Sequence, residues 1–453
     1  MFKGLQRVSF ARLKGTLTGR VLVNAGWASG ATPITVGLGI IQTGMMARML
    51  GPGGMGTIAL FVATCAIVSS LFKLNNAQIA LVYVTKALTE CDTAQVRHLI
   101  RYCYRIDVLS SILSFAIVTI LSLVIPQYLN LSPGQENLQI IYGLTLIFQS
   151  CYSTSLALLR VADKFSWAFY QSVIHSLIKL AFIAVLYINH SGLSEVVWVL
   201  VFLSLFDGAL IYLLAKKAMN ISKIDVRPKR MWWQVSRNVR VFQTIGYGSG
   251  FIKTIYRYLD VILLGFLTDI FSVGIFRAAS QLTGLFDIPT QALVTSLTPE
   301  YSRLWFNGEV RQLKTLVLRF TFALISIFGV LAAIMFVFGD LIIQIIFGTE
   351  FLPAKKPLLI MILASMVGLA TSPLNSLQIA TGKAWPAMLS GLAGLLIQGT
   401  LLLLLVPRTG VSGAAWAKLG GIVVAVAVIL PSSIRRLNAT KNSDYGMSRA
   451  HIG

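Results

Sequence analysis

"FIKTIYRYLDVILLGF", residues 251–266, can be read two ways. On a soluble helix, Lys253, Arg257 and Asp260 would form a solvated stripe. In a bilayer each charge costs about 2.5–3.5 kcal/mol on insertion scales. The rest of the chain decides between them. It has 453 residues, 56% of them apolar and 12% charged, with a mean hydropathy of +0.77. Stretches such as 112–125 with its flanks, 360–379 and 421–434 are nearly free of charge. At about 1.5 Å per residue, some 20 residues cross a hydrocarbon core about 30 Å thick. The apolar stretches are continuous and rich in Leu, Ile, Val and Ala. They do not alternate in segments of about ten, as barrel strands do. The fold class is therefore all-α and polytopic, because a spanning helix satisfies its own backbone.

Twelve spans are predicted, at 21–47, 57–84, 108–126, 138–159, 166–189, 196–215, 244–267, 272–297, 320–338, 357–380, 384–406 and 411–434. Gly339 and Asp340 are read as ending the ninth, with "LIIQIIFG" (341–348) as an interfacial segment outside. The basic residues test this topology. Of 38 Lys and Arg, 28 fall on the side shared by both termini and 4 on the other, with 6 inside spans. Positive charge accumulates on the cytoplasmic side, so both termini are expected in the cytoplasm of a multi-pass inner-membrane protein. That asymmetry also accounts for the excess of 38 basic over 16 acidic residues without invoking nucleic acid.

The longest inside loop, 216–243, divides the chain. Residues 1–20 read as a basic cytoplasmic arm, without the apolar run of a secretory leader. Residues 21–215 form an N-lobe of six spans, 244–434 a C-lobe of six, and 435–453 a cytoplasmic tail. "GWASG" (26–30) opens the first lobe and "GYGSG" (246–250) the second, each followed by a helix, a short turn and a glycine, Gly56 or Gly274. Two pseudo-symmetric lobes in parallel orientation follow.

Residues 253, 257 and 260 lie at about 0°, 40° and −20° around a helix, so the opening charges share one face. Asp260 and Arg257 can pair locally at i,i+3, which leaves Lys253. Other spans add Lys73, followed by Asn75, Asn76 and Gln78; Lys179, one turn after His175; Asp207; Arg277, one turn before Gln281; Asp287; and Lys418. Lys418 lies close enough to a span end to snorkel. Lys179 and Asp207 can neutralise each other between neighbouring spans. Six cations against three anions leave a net +3 at membrane depth. Such an excess favours an anionic cargo, such as a phosphate, a diphosphate or an acidic sugar. Lys253, Arg257, Arg277, Lys73 and Lys179 are the candidate substrate-binding residues. Asp260, Asp287 and Asp207 are the candidates for ion or proton coupling. Gly30, Pro33 and Gly37 in the first span are candidate hinges, or small residues for close packing.

The sequence carries no HExxH, P-loop, GxSxG or cytosolic DxD, and no loop long enough for a soluble catalytic domain. An enzyme is not expected, and neither is a cofactor or a metal. The cysteines, Cys65, Cys91, Cys103 and Cys151, show no metal-binding spacing and read as free thiols.

"ARMLGPGGMGTIALFVA" (47–63), "LDVILLGFLTDIFSVGIFRAA" (259–279) and "LTPEYSRLWFNGE" (297–309) resemble the polysaccharide transporter family. These are the Wzx-type O-antigen and exopolysaccharide flippases of the MOP (multidrug/oligosaccharidyl-lipid/polysaccharide) superfamily. The resemblance covers roughly residues 20–435. It implies a MATE-like fold with two six-helix lobes around a central cavity. The implied cargo is an undecaprenyl-diphosphate-linked oligosaccharide, moved to the periplasmic leaflet by alternating access, with H⁺ or Na⁺ as a coupling ion. A polysaccharide polymerase or chain-length regulator is an implied partner. One departure stands out: relatives often carry an acidic residue and a glycine late in the second span, where this chain has Lys73, Leu74, Asn75 and Asn76. The competing readings are a lipid II flippase, a cation-coupled multidrug antiporter, and a scaffold subunit of a polysaccharide-synthesis complex.

Overall fold

The computed structural model describes residues 17–124, 133–219, 236–380 and 385–437. The basic arm up to residue 16, most of the central loop and the tail from 438 lie outside the described residues. The described chain is helical. In order it forms α1 (Leu17–Phe72), α2 (Asn76–Ile79), a π-helical turn (Ala80–Val84), α3 (Thr85–Thr89) and α4 (Thr93–Val124). Next come α5 (Gln135–Phe148), α6 (Tyr152–Val161), α7 (Phe165–Ile188), α8 (Leu193–Ala218) and α9 (Arg237–Leu267). The last are α10 (Ile270–Phe306), α11 (Val310–Ile346), α12 (Lys355–Ala380), α13 (Trp385–Thr409) and α14 (Val411–Leu437), with a 3₁₀ turn at Thr349–Ala354 before α12.

Among the described residues, nine helical stretches are long and apolar enough to cross a membrane. They differ from the twelve predicted spans for two reasons. The first two predicted spans are continuous in α1, where only Gly51 (φ 64°, ψ −177°) leaves helical geometry. A left-handed φ suits glycine, which has no Cβ to clash. Helix α9, at predicted span seven, carries the three charges of the opening stretch, and in α10, at predicted span eight, the described apolar run is Ile270–Phe286.

Several boundaries are corrected. The second predicted span does not run unbroken to residue 84. It stops at Phe72, passes through non-helical Lys73–Asn75, and resumes as α2 and the π turn. The third begins not at 108 but at Thr93, so Asp107 lies in the middle of a helix. The fourth is kinked between Phe148 and Tyr152. Gly339 and Asp340 do not end the ninth, because α11 continues through both to Ile346, and Lys355 ion-pairs with Asp340. "LIIQIIFG" is thus mostly the last turns of that helix. The candidate hinges Gly30, Pro33 and Gly37 lie in unbroken helix, with Gly30 against Phe169 and Gly37 open.

The chain forms two compact units, one of residues 1–50 and 61–254, the other of 51–60 and 255–453. In the first, Leu99 and Cys103 of α4, Leu158 of α6, Ile211 of α8 and Val239 of α9 share one buried cluster. In the second, Leu297 and Tyr301 of α10 pack with Leu313 and Val317 of α11 and Leu377 of α12.

Within the second unit, residues 51–60 cross the start of α10 backbone to backbone. A Cβ on Gly56 would lie 1.9 Å from the Ile270 carbonyl oxygen, and one on Gly274 would lie 1.9 Å from that of Pro52. Helices in lipid gain by such close approach, which only small residues permit. Helices α13 and α14 meet in the same way, through Gly394 and Gly421.

All four cysteines are free: Cys65 and Cys103 are buried, Cys151 is half-buried and Cys91 is exposed. Cys91 sits in the turn before α4 with φ 56°.

Candidate functional site

Two groups of buried polar side chains in the first unit are built around a carboxylate. The larger centres on Asp107, which is 1% exposed. Its carboxylate accepts from the Asn76 amide (2.7 Å) and from the Thr154 hydroxyl. The same Asn76 amide group donates to the Cys103 carbonyl (3.3 Å), and the Asn76 side-chain oxygen accepts from Gln243 (2.6 Å). The Gln243 oxygen accepts from the Tyr102 hydroxyl (2.9 Å). This chain joins α2, α4, α6 and α9 through side chains that are almost fully buried. The broken second span explains how: ending α1 at Phe72 lets Asn76 restart a helix facing α4. Discontinuous helices and π turns in membrane proteins commonly mark functional sites. Lys73, in the break itself, lies near enough to act electrostatically on Asp107.

The second group lies between α7 and α8. Asp207, 5% exposed, accepts from the Gln171 amide, and His175 Nδ1 lies 3.3 Å from the same oxygen. Gln171, His175 and Lys179 recur every four residues, so α7 presents them on one face. Lys179, on the next turn, also acts electrostatically on Asp207.

In the second unit, Asp260 of α9 is 1% exposed and pairs with Lys418 of α14 at 3.6 Å. Two expectations are corrected here: Asp260 does not pair with Arg257, and Lys418 turns inward to a carboxylate. Removing one partner of a fully buried pair costs about 3–5 kcal/mol, because the other charge is stranded. The Lys418 side chain remains 23% exposed. A smaller loss of about 2 kcal/mol is therefore expected for Lys418→Ala, read as a lowered Tm in detergent. The double variant Lys418→Met with Asp260→Asn should recover most of it.

The remaining candidates fall elsewhere. Lys253 and Arg257, one helical turn apart on α9, are exposed, and Arg277 on α10 is half-buried. None of these three, nor Lys73, has a carboxylate ion-pair partner among the described residues. The Asp287 side chain lies outside the described residues. Among the described residues no cluster of His, Cys, Asp and Glu could hold a metal.

Sequence reasoning missed Asp107, Thr154, Gln243 and Gln171. Asp107 lay one residue outside the apolar window drawn for the third span. Gln171 had a usable signal in its four-residue spacing to His175 and Lys179. Thr154 and Gln243 are polar residues of ordinary kind, and only the packing picks them out.

Comparison with known proteins agrees with this architecture. A family model described as polysaccharide biosynthesis protein matches residues 21–305. The inner membrane protein YghQ of Escherichia coli K12 is 20% identical over 343 residues, covering 74% of this chain and 94% of its own. An inward-facing multidrug resistance MATE family transporter of the MOP superfamily superposes with a TM-score of 0.64 at 12% identity, covering 92% of this chain and 96% of that one. The lipid II flippase MurJ in an inward closed conformation gives 0.63 at 15% identity, with 90% and 88% covered. At such identities the two structures speak for the fold, and the family model, which spans well over half of the residues, speaks for descent. The chain belongs to the polysaccharide biosynthesis protein family.

Proposed function

We propose that this protein is a flippase that moves undecaprenyl-diphosphate-linked oligosaccharide repeat units from the cytoplasmic to the periplasmic leaflet of a bacterial inner membrane. It would work by alternating access over twelve crossings in two lobes. One observation carries the reading. The described acids at membrane depth, Asp107, Asp207 and Asp260, are all engaged by protein groups. The cations Lys253, Arg257 and Arg277 have no carboxylate ion-pair partner among the described residues, whereas Lys73 acts on Asp107 at longer range. Unpaired cations at that depth favour an anionic cargo, and a diphosphate offers several acceptor oxygens to guanidinium and ammonium donors. The same imbalance disfavours a cationic drug, for which free carboxylates would be needed. Gly30, Pro33 and Gly37 remain the proposed hinge. Coupling to H⁺ or Na⁺, if used, falls to Asp207, Asp260 or Asp287. A polymerase or chain-length regulator would receive the product.

The test is mass spectrometry of lipid-linked sugars in a deletion strain. The deletion should accumulate an undecaprenyl-diphosphate oligosaccharide, and the wild-type gene should clear it. Lys253→Ala with Arg257→Ala should restore less than about a tenth of export at normal protein level. Accumulation of lipid II instead would favour the peptidoglycan-precursor reading. Unchanged lipids with normal surface polysaccharide would overturn the proposal.

A further inference from the structure

A second basic feature lies in the second unit. Helix α11 begins at Val310, well before the apolar part of its span. Its first turns place Arg311, Thr315 and Arg319 four residues apart, on one face. With the end of α10 they line a cavity of about 390 Å³, whose floor includes Leu304 and Leu316. Arg311 and Arg319 are exposed and have no carboxylate ion-pair partner among the described residues. The acid in the cavity wall, Glu300, is already held by Arg303 at 2.7 Å. The Thr315 hydroxyl donates to the Arg311 carbonyl (3.0 Å). The guanidinium groups and the Gln312 amide are therefore the donors available to a ligand.

The same face of α11 continues through Phe322, Val330 and Val337, which are 67%, 63% and 66% exposed. An apolar track thus begins where the basic cavity ends. A soluble anion would use only the cavity, whereas an amphiphile with an anionic head would use both. Basic pockets between membrane helices on the cytoplasmic side bind anionic headgroups by this logic. We propose that the cavity between α10 and α11 binds an anionic phospholipid of the inner leaflet, its phosphate on Arg311 and Arg319 and an acyl chain along Phe322 and Val330. The cavity volume favours a phosphoglycerol head over a diphosphate carrying several sugars. The inference does not depend on the cargo proposed above.

The test is native mass spectrometry of the full chain in mild detergent, titrated with phosphatidylglycerol, cardiolipin and phosphatidylcholine. The wild type should retain the two anionic lipids preferentially. R311Q/R319Q should weaken that retention about tenfold with an unchanged Tm. K86Q, at an exposed lysine of the first unit, should leave it unaltered. Equal retention by wild type and R311Q/R319Q would overturn the proposal, as would equal retention of phosphatidylcholine. Displacement of phospholipid by undecaprenyl phosphate from the wild type alone would overturn it in favour of the carrier lipid.

Discussion

Gly274→Ala should leave little folded protein in the membrane, and Gly56→Ala should do the same. Each new methyl carbon would lie 1.9 Å from a backbone carbonyl oxygen, on Pro52 and Ile270 respectively. A side chain in the way could change rotamer, but a carbonyl inside a helix cannot move without breaking the helix. Overpacking a dense interior usually costs about 1–3 kcal/mol, and a collision with backbone belongs at or above the top of that range. The two sites are reciprocal, since each glycine accommodates the element that carries the other. Their effects should therefore not add: once one substitution has forced the helices apart, the second finds room. A thermal-unfolding series in detergent checks this. A double variant much less destabilised than the sum of the single variants is expected. Single variants within about 0.5 kcal/mol of wild type would show that the close crossing is absent in the membrane.

Asp107→Ala should be nearly as severe for a different reason. It removes the acceptor for both Asn76 and Thr154, in a place that water does not reach. Each buried donor left unsatisfied costs about 1–3 kcal/mol, so a loss of about 2–6 kcal/mol is expected. Asp107→Asn keeps the shape and one acceptor oxygen, and should lose roughly half as much. Asn76→Ala should resemble Asp107→Ala more than Gln243→Ala does, because Asn76 bonds to Asp107, Gln243 and Cys103 together. Tm values for the four variants order these contributions. Equal stability of Asp107→Ala and Gln243→Ala would contradict a network centred on the carboxylate.

The class of the fold was legible because hydropathy and charge asymmetry are summed over long windows. Chance contacts do not disturb them. The opening stretch shows both the reach and the limit of that reading. Its charges marked α9 as unusual, and helical geometry put Lys253, Arg257 and Asp260 on one face. Periodicity could not reveal that Asp260 turns to Lys418, 158 positions later in the chain. The same limit hid the Asp107 group, whose members are up to 167 residues apart. Helix ends were misjudged where polar residues are satisfied by tertiary partners instead of ending the helix. Asp340 with Lys355 and Asp107 with Asn76 are the two cases. The break at Lys73–Asn75 was signalled only by a cluster of polar residues, which also reads as an ordinary polar helix face.

The turn that sets Cys91 apart has a practical consequence. Of four thiols, two are buried, one is half-covered, and Cys91 alone is exposed, just ahead of the arginines of α4. The unmodified protein therefore carries its own chemical reporter of sidedness. A membrane-impermeant maleimide applied to intact spheroplasts and then to inverted vesicles asks which compartment this turn faces. With the sidedness of that turn fixed, the orientation of every neighbouring crossing follows, and no cysteine has to be engineered.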